Sequence, residues 1–466
     1  MKLKGRPLVY PSAPTEEVKD RDRDTDRDKK DNVATIVVTG PILKTDVSLS
    51  FWGGIDPVTG IIIDQQHPLV GARVTDTIFF LPSGRGSSTA SQVLLELILN
   101  GIAPRAIVLR NADAMVTVGA LISQEVFDKF LPILCVEETG YDKIFGSSYT
   151  TVTHAAVMVR RRFDNDGEGG QVYCGSDPKV LRKQAYDDIM MAEETRRVGH
   201  DTTSTDDRFS PQEEGRLANA TNPAERMALR VIFRYARIAM EYPEYTPVTK
   251  AHIDGCTYIG PGGLDFARRI VQQGGRVAVP TTLNSMSTDR RRWRALGVPQ
   301  DYAKNAIALG DAYLELGCIP SFTCAPYLLE QPPTLGEDLV WGESNAVVYA
   351  NSVLGARTEK YADYLDICGA IAGIVPKTGA HVLENRIPRI ILDAQELFSK
   401  DLSLDDQTLD LDVLFPVLGH LCGRLADGKV PILIGLDTWS EAVTTDHLKA
   451  FCAAYGTTGT SPLIRK

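Results

Sequence analysis

Short runs of Val, Ile, Phe and Leu, each bounded by Gly, Pro, Asn or Asp, recur through the first part of the chain: TIVVTGPIL from Thr35, VTDTIFFLP from Val74, AIVLRNAD from Ala106 and AAVMVRRRF from Ala155. Runs of this length and composition predict strands. Between the second and third, SQVLLELILNG places Val93, Leu94, Leu97 and Ile98 on one helical face and closes on Gly101, so this spacing predicts a helix. The alternation predicts a small α/β domain over residues 1–162. The pattern then lapses into FDNDGEGGQVYCGSDPK, rich in Gly and Asp, which predicts an inter-domain linker over 163–182.

Residues 183–466 predict a larger α/β body. Asn222, Pro223 and Glu225 supply a helix N-cap, a proline in the first turn and a favourable carboxylate, and the stripe Met227, Val231, Tyr235 and Ile238 predicts a core-facing helix. DYAKNAIALGDAYLELG from Asp301 predicts another. RVAVPTTLN from Arg276, IPSFTCAPY from Ile319 and VPILIGL from Val430 predict strands, with Asn, Thr, Cys and Ser gathered in the loops at their ends.

Length and charge refine this picture. At 466 residues the chain exceeds what one hydrophobic core supports, so two domains are expected. Residues 19–31, KDRDRDTDRDKKD, carry six charges of each sign and no apolar side chain, which predicts a disordered insertion at 12–32 inside the first domain. A net charge of -10 argues against nucleic acid or an anionic membrane as partner. No apolar run approaches the roughly 18 residues of a membrane span, and MKLKGRPLVYPSAP lacks the apolar stretch of a secretion signal, so the expected location is cytoplasmic. Eight scattered cysteines with no C-x-x-C pair are too sparse for a disulfide scaffold and read as thiols or metal ligands.

Candidate chemistry gathers at three places. Residues 81–89, LPSGRGSST, follow a strand and open a helix, where glycines and unpaired N–H groups suit a carboxylate or phosphate. Position 89 is Thr where a dinucleotide fingerprint needs Gly, and no Gly-Lys-Ser/Thr follows for a P-loop. Cys256 and Cys324 lie in polar, glycine-bearing loops where a thiolate could meet a metal, and His252 stands four residues before Cys256. Cys135, Cys368, Cys422 and Cys452 read as small buried hydrophobes, and Cys174 as an exposed linker residue. There is no H-E-x-x-H and no G-x-S-x-G.

Longer blocks carry a family resemblance. Residues 48–71, 81–91 and 100–110 resemble the small, swivelling subunit of aconitase X. Residues 252–267, 276–285, 322–329 and 341–358 resemble its large catalytic subunit. The resemblance implies a swivelling α/β domain followed by a larger aconitase-like α/β catalytic domain, fused small-first so that no separate small subunit is needed.

It also implies a hydro-lyase with an iron or iron–sulfur centre acting on a small hydroxy acid. The first reading is dehydration of cis-3-hydroxy-L-proline to Δ1-pyrroline-2-carboxylate; the second is dehydration of mevalonate 5-phosphate. A serine of the glycine-serine loop is then the base, Ser87 first and Ser88 second, and Arg85, Gly86 and the loop N–H groups hold the carboxylate. Iron falls on Cys256 and Cys324, and His252, Thr282, Asn284, Ser344, Asn345 and Asn351 surround the substrate. Two departures accompany the resemblance. KYADYL follows Glu359 where the family loop is of the Asn-Arg-Glu-Gly-Gly-Pro type. The family's large subunit also continues, with a further cysteine motif, past the segment resembling 456–466, so an incomplete catalytic domain and an inactive truncated homologue are a third reading.

Overall fold

The computed structural model describes residues 1–9, 35–145, 153–160, 170–198, 209–240, 242–395, 410–435, 443–458 and 462–465. The charged insertion expected at 12–32 lies outside them. The chain divides into two compact units, Met1–Arg85 with Val93–Asn219, and Gly86–Gln92 with Ala220–Lys466.

In the first unit, β1 (Lys2–Val9), β2 (Thr35–Lys44), β3 (Ile78–Leu81), β4 (Ala106–Leu109), β5 (Ile133–Val136), β6 (His154–Arg160) and β7 (Gly170–Gly175) close into a barrel of order β1-β5-β4-β3-β2-β6-β7. β2 to β5 pair in parallel and the other pairings are antiparallel. IFFL and AIVL can be wholly apolar because parallel strands are buried on both faces. Two parallel crossovers run through α1 (Ala90–Leu99) and α2 (Ala114–Phe127), the latter capped by Asp113 accepting from the Val116 N–H. Ile78, Phe80, Val108, Leu134, Val157 and Val172 fill one core. α3 (Glu138–Phe145) adds Tyr141, whose buried hydroxyl donates to the Thr45 carbonyl at 3.0 Å. α4 (Pro178–Val198) contributes Leu181 and Ala185 to a second cluster with Met158 and Tyr173, and α5 (Pro211–Ala218) opens on a capping box between Ser210 and Glu213.

The expected linker is corrected here. Residues 170–175 are strand β7, paired to β1 with Lys2 opposite Tyr173 and to β6 with His154 opposite Gly175. Cys174, expected exposed, is therefore buried. Local composition concealed this because β7 is held by a strand some 170 residues earlier.

The second unit opens as expected, with α6 (Pro223–Ala239) capped by Asn222 accepting from the Glu225 N–H. Then come β8 (Tyr245–Pro247), β9 (Lys250–Ile253), α7 (Pro261–Gln272), β10 (Thr281–Leu283), α8 (Gln300–Glu315), β11 (Leu339–Trp341), α9 (Ser344–Tyr349), α10 (Leu365–Ala372), β12 (Ile374–Pro376), β13 (Ile390–Asp393), α11 (Leu411–Ala426), β14 (Pro431–Ile434) and α12 (Thr445–Gly456). The strands form a parallel sheet of order β10-β9-β11 and two pairs, β12-β8 and β13-β14. Pro280 delays β10 to Thr281. IPSFTCAPY makes only an isolated bridge at Ile319 and a short turn at Pro326–Leu328, since Pro320 and Pro326 lack the N–H a ladder needs. Phe415, Leu418, Phe451, Tyr455 and Trp341 share a further core. No helix of the described residues is long and apolar enough to cross a membrane.

If β7 closes the barrel, Gly170→Ala must be costly, because an added Cβ would stand 2.6 Å from Leu134 Cδ2 and 2.8 Å from the Gly5 carbonyl oxygen. Urea unfolding of this variant is expected to show a loss of about 1–3 kcal/mol; a change within 0.5 kcal/mol would return the segment to linker status.

Candidate functional site

Three parallel strands deliver polar residues from their carboxyl ends, the usual place for a site in such a sheet. β9 runs into Asp254, β10 into Asn284 and, after Gly342, β11 into Glu343. Two residues earlier along each strand, His252 stands between Thr282 and Trp341. The two rungs lie on one face because strand side chains alternate. Asn284 Nδ2 donates to Asp254 Oδ1 and, at 2.9 Å, to Glu343 Oε2. Asn345 Nδ2 donates to Glu343 Oε1 at 2.7 Å and to the Cys324 carbonyl at 3.1 Å, while its Oδ1 accepts from the Tyr327 hydroxyl at 3.0 Å. A cavity of about 430 Å³, lined among others by Lys250, Thr282, Ser321, Glu330 and Trp341, borders the lower rung.

The segment Gly86–Gln92 clusters with this second unit and completes the upper rung. Ser88, 1% exposed, donates its hydroxyl proton to Asp254 Oδ2. Gln92 Nε2 donates to Asp363 Oδ2 at 2.5 Å, and the Ser91 hydroxyl to the Asp363 carbonyl at 3.1 Å. Asp366, one turn further along α10, accepts the Asp254 N–H at 2.8 Å and the Ile367 N–H at 2.7 Å. Asp254, Asp363 and Asp366 thus form one buried group. Burial first, then the charges of Asp363 and Glu343, push the Asp254 carboxyl well above the usual carboxylate range. Burial likewise lifts Asp363 and Asp366 to about 7, with the Asp366 and Asp254 charges respectively adding to it.

The expected site residues divide. Ser88, Asn284 and Asn345 join this network, and the Cys324 backbone meets it through Asn345. Ser87 instead closes a local turn, donating to Thr89 Oγ1 at 3.1 Å and accepting the Thr89 N–H at 3.2 Å. Gly86 takes φ +88°, open to glycine without strain. Arg85, expected to hold a carboxylate, is paired within the first unit to Asp64 at 2.8 Å. Nor are the first N–H groups of α1 open to an anion: those of Ala90, Ser91 and Gln92 turn back to the carbonyls of Ser87, Ser88 and Thr89. His252 is fully buried, its Nδ1 2.8 Å from Thr282 Oγ1, and burial pushes its imidazole down to about 3, so it is neutral. Ser344 opens α9. Asn351 is corrected from substrate contact to structural tie, because its amide is consumed by Thr358, the Pro462 carbonyl and Arg386.

Cys256 is buried with its Sγ 3.6 Å from the Ile253 carbonyl, and burial, then Cys318, Asp366 and Asp254, push its thiol well up. Cys324 is exposed. Among the described residues no group of three or more His, Cys, Asp or Glu stands together as a metal site. The described residues bring together no donor set that fits an iron or iron–sulfur centre.

Asp254, Asp363, Asp366 and Glu343 were not singled out by sequence. The available signal was two aspartates, in KYADYLDIC, beside an otherwise apolar helix start, and an aspartate two residues before Cys256.

Residues 29–160 match the aconitase X swivel domain, 208–384 the aconitase X first domain and 388–465 the aconitase X second domain. Cis-3-hydroxy-L-proline dehydratase of Pseudomonas aeruginosa is 40% identical over 91% of this chain and 67% of its own length. The enzyme of that name from Hypocrea jecorina is 38% identical over 91% of this chain and 66% of its own. The phosphomevalonate dehydratase large subunit of Methanothermobacter thermautotrophicus is 33% identical over 46% of this chain and 50% of its own. The chain spans about two thirds of the length of the two hydroxyproline dehydratases. Fold and site define an α/β protein in which a swivel domain and a catalytic domain share one chain. It belongs to the aconitase X family.

The three aspartates titrate higher folded than unfolded, so between about pH 4 and pH 7 the folded protein binds more protons and its stability falls as pH rises. Tm is therefore expected to drop from pH 5 to pH 8. Asp363→Asn, which keeps an oxygen for Gln92, should remove about 2–5 °C of that drop. An unaltered slope would contradict the buried-carboxyl account.

Proposed function

We propose that the chain is a hydro-lyase that dehydrates cis-3-hydroxy-L-proline to Δ1-pyrroline-2-carboxylate, with Ser88 as base and Asp254 as acceptor of the serine proton. One observation carries the assignment of roles: the Ser88 hydroxyl donates directly to a buried aspartate whose carboxyl is held well above its usual range. A serine alone is too weak an acid to give up its proton at neutral pH. The ionised form of Asp254, made more basic by burial, accepts that proton at smaller cost, which is the nucleophile–base logic turned to proton abstraction. Ser88 Oγ then takes the proton from C2, C2=C3 forms, and the C3–O bond breaks. The hydroxide takes up a proton from a protonated carboxyl of the group and leaves as water, and the enamine tautomerises to the cyclic imine. With Asp363 and Asp366 at about 7, the group holds both protonated and ionised members near neutrality, so it can receive one proton and return another.

The relatives that match along most of the chain act, by name, on cis-3-hydroxy-L-proline, which supports this substrate. A phosphate-bearing substrate is less well served, since the N–H groups opening α1 are already engaged.

The test is loss of cis-3-hydroxy-L-proline, with mevalonate 5-phosphate in parallel, by the purified chain with and without anaerobic iron loading. Turnover of the hydroxyproline is expected. Ser88→Ala should lower kcat by about 10³-fold or more and Asp254→Asn by about 10²–10⁴-fold, with Ser87→Ala within about tenfold of the unaltered chain. Absence of turnover under both conditions, or loss on replacing Ser87 but not Ser88, would overturn the proposal.

A further inference from the structure

The loop that departs from the family pattern, KYADYL, lies directly against the serine segment. Lys360 Nζ donates to the Gly86 carbonyl at 2.7 Å, two residues before Ser88. The Asp363 N–H donates to the Ser88 carbonyl at 3.3 Å, and the Asp363 carbonyl and carboxylate accept from Ser91 and Gln92. These four contacts straddle Ser88 on both sides in sequence.

The loop is itself rooted on its other side. Tyr361, 1% exposed, bonds His381 Nε2 through its hydroxyl at 2.7 Å. His381 Nδ1 lies 2.8 Å from Asp338 Oδ1, and Arg357 Nη2 donates to Asp338 Oδ2 at 2.8 Å. The Tyr361 N–H also reaches the Trp341 carbonyl at 3.3 Å, tying the loop to β11.

We propose that Lys360 and Asp363 are positioning residues that clamp Gly86–Gln92 so that the Ser88 hydroxyl stays on Asp254. The inference rests on the reading of Ser88 as base. The ammonium makes a charge-assisted bond to the carbonyl of Gly86, which stands in a left-handed turn, and the Tyr361–His381–Asp338–Arg357 chain keeps that ammonium from following the segment if it drifts. Proton abstraction tolerates little displacement of the base, so the clamp acts on kcat and leaves substrate affinity alone.

The experiment compares the full chain with Lys360→Met, Lys360→Arg and Tyr361→Phe by steady-state kinetics and by hydrogen exchange of peptides covering residues 86–92. Lys360→Met is expected to lower kcat about 10–100-fold with KM within about twofold. It should also speed exchange in 86–92 at least about tenfold while exchange in β3 and β4 stays unchanged, which shows the fold intact. Lys360→Arg, which still donates, should recover most of both, and Tyr361→Phe should move both in the same direction by less. Unchanged exchange in 86–92, or a raised KM with kcat preserved, would overturn the clamp. If the unaltered chain shows no turnover, the Ser88 reading fails and the exchange measurement still decides the clamp.

Discussion

Three carboxyls buried side by side are a costly arrangement, since each ionised form loses its hydration and each charge repels the others. Here Asp254, Asp363 and Asp366 are kept by a set of donors drawn from across the sequence: Ser88 and Asn284 on Asp254, Gln92 on Asp363, and backbone N–H groups on Asp366. The compensation is incomplete. Asp363 Oδ1 is buried without a hydrogen-bond partner among the described residues, as is the Tyr313 hydroxyl close by Gly255. Burial first, then the neighbouring carboxylates, hold Asp363 and Asp366 up at about 7.

The surroundings are built to keep the cluster in place. Asp254 and Asn284 cannot move independently, because they end neighbouring strands of one short sheet, and Glu343 bridges Asn284 to Asn345. Asp363 and Asp366 flank Tyr364, which takes φ +76°, a conformation costly for a bulky side chain, at the start of α10. Its ring packs on Phe266 at 4.5 Å. The turn that Tyr364 makes sets one aspartate before the helix and one in its first turn, both toward the same group.

The family places iron chemistry in such proteins, whereas the two cysteines expected to carry it stand in different settings, one sealed, the other exposed. What the described residues do assemble is a buried carboxyl cluster, and Asp254, the acceptor of the serine proton in the proposed reaction, is also the residue that ties the serine segment to the sheet.

Much of this was readable along the chain. The strands of the barrel carry uninterrupted apolar runs because they are buried on both faces, the Asn222–Pro223–Glu225 signature starts α6 where it stands, and LPSGRGSST marks the segment that bears the buried serine; each is a local property of consecutive residues. The motif blocks were sufficient for the family as well. The closure of the barrel by β7, the pairing of Arg85 with Asp64 and of Asn351 with Arg386, and the burial of Ser88 against Asp254 depend on partners up to some 170 residues away. So does the meeting of Asp254 with Asp363 and Asp366. A carboxylate looks the same in sequence whether it faces water or two other carboxylates; only the tertiary structure removes the water, and with it decides which acids are pushed up in pKa and which serine meets a buried aspartate.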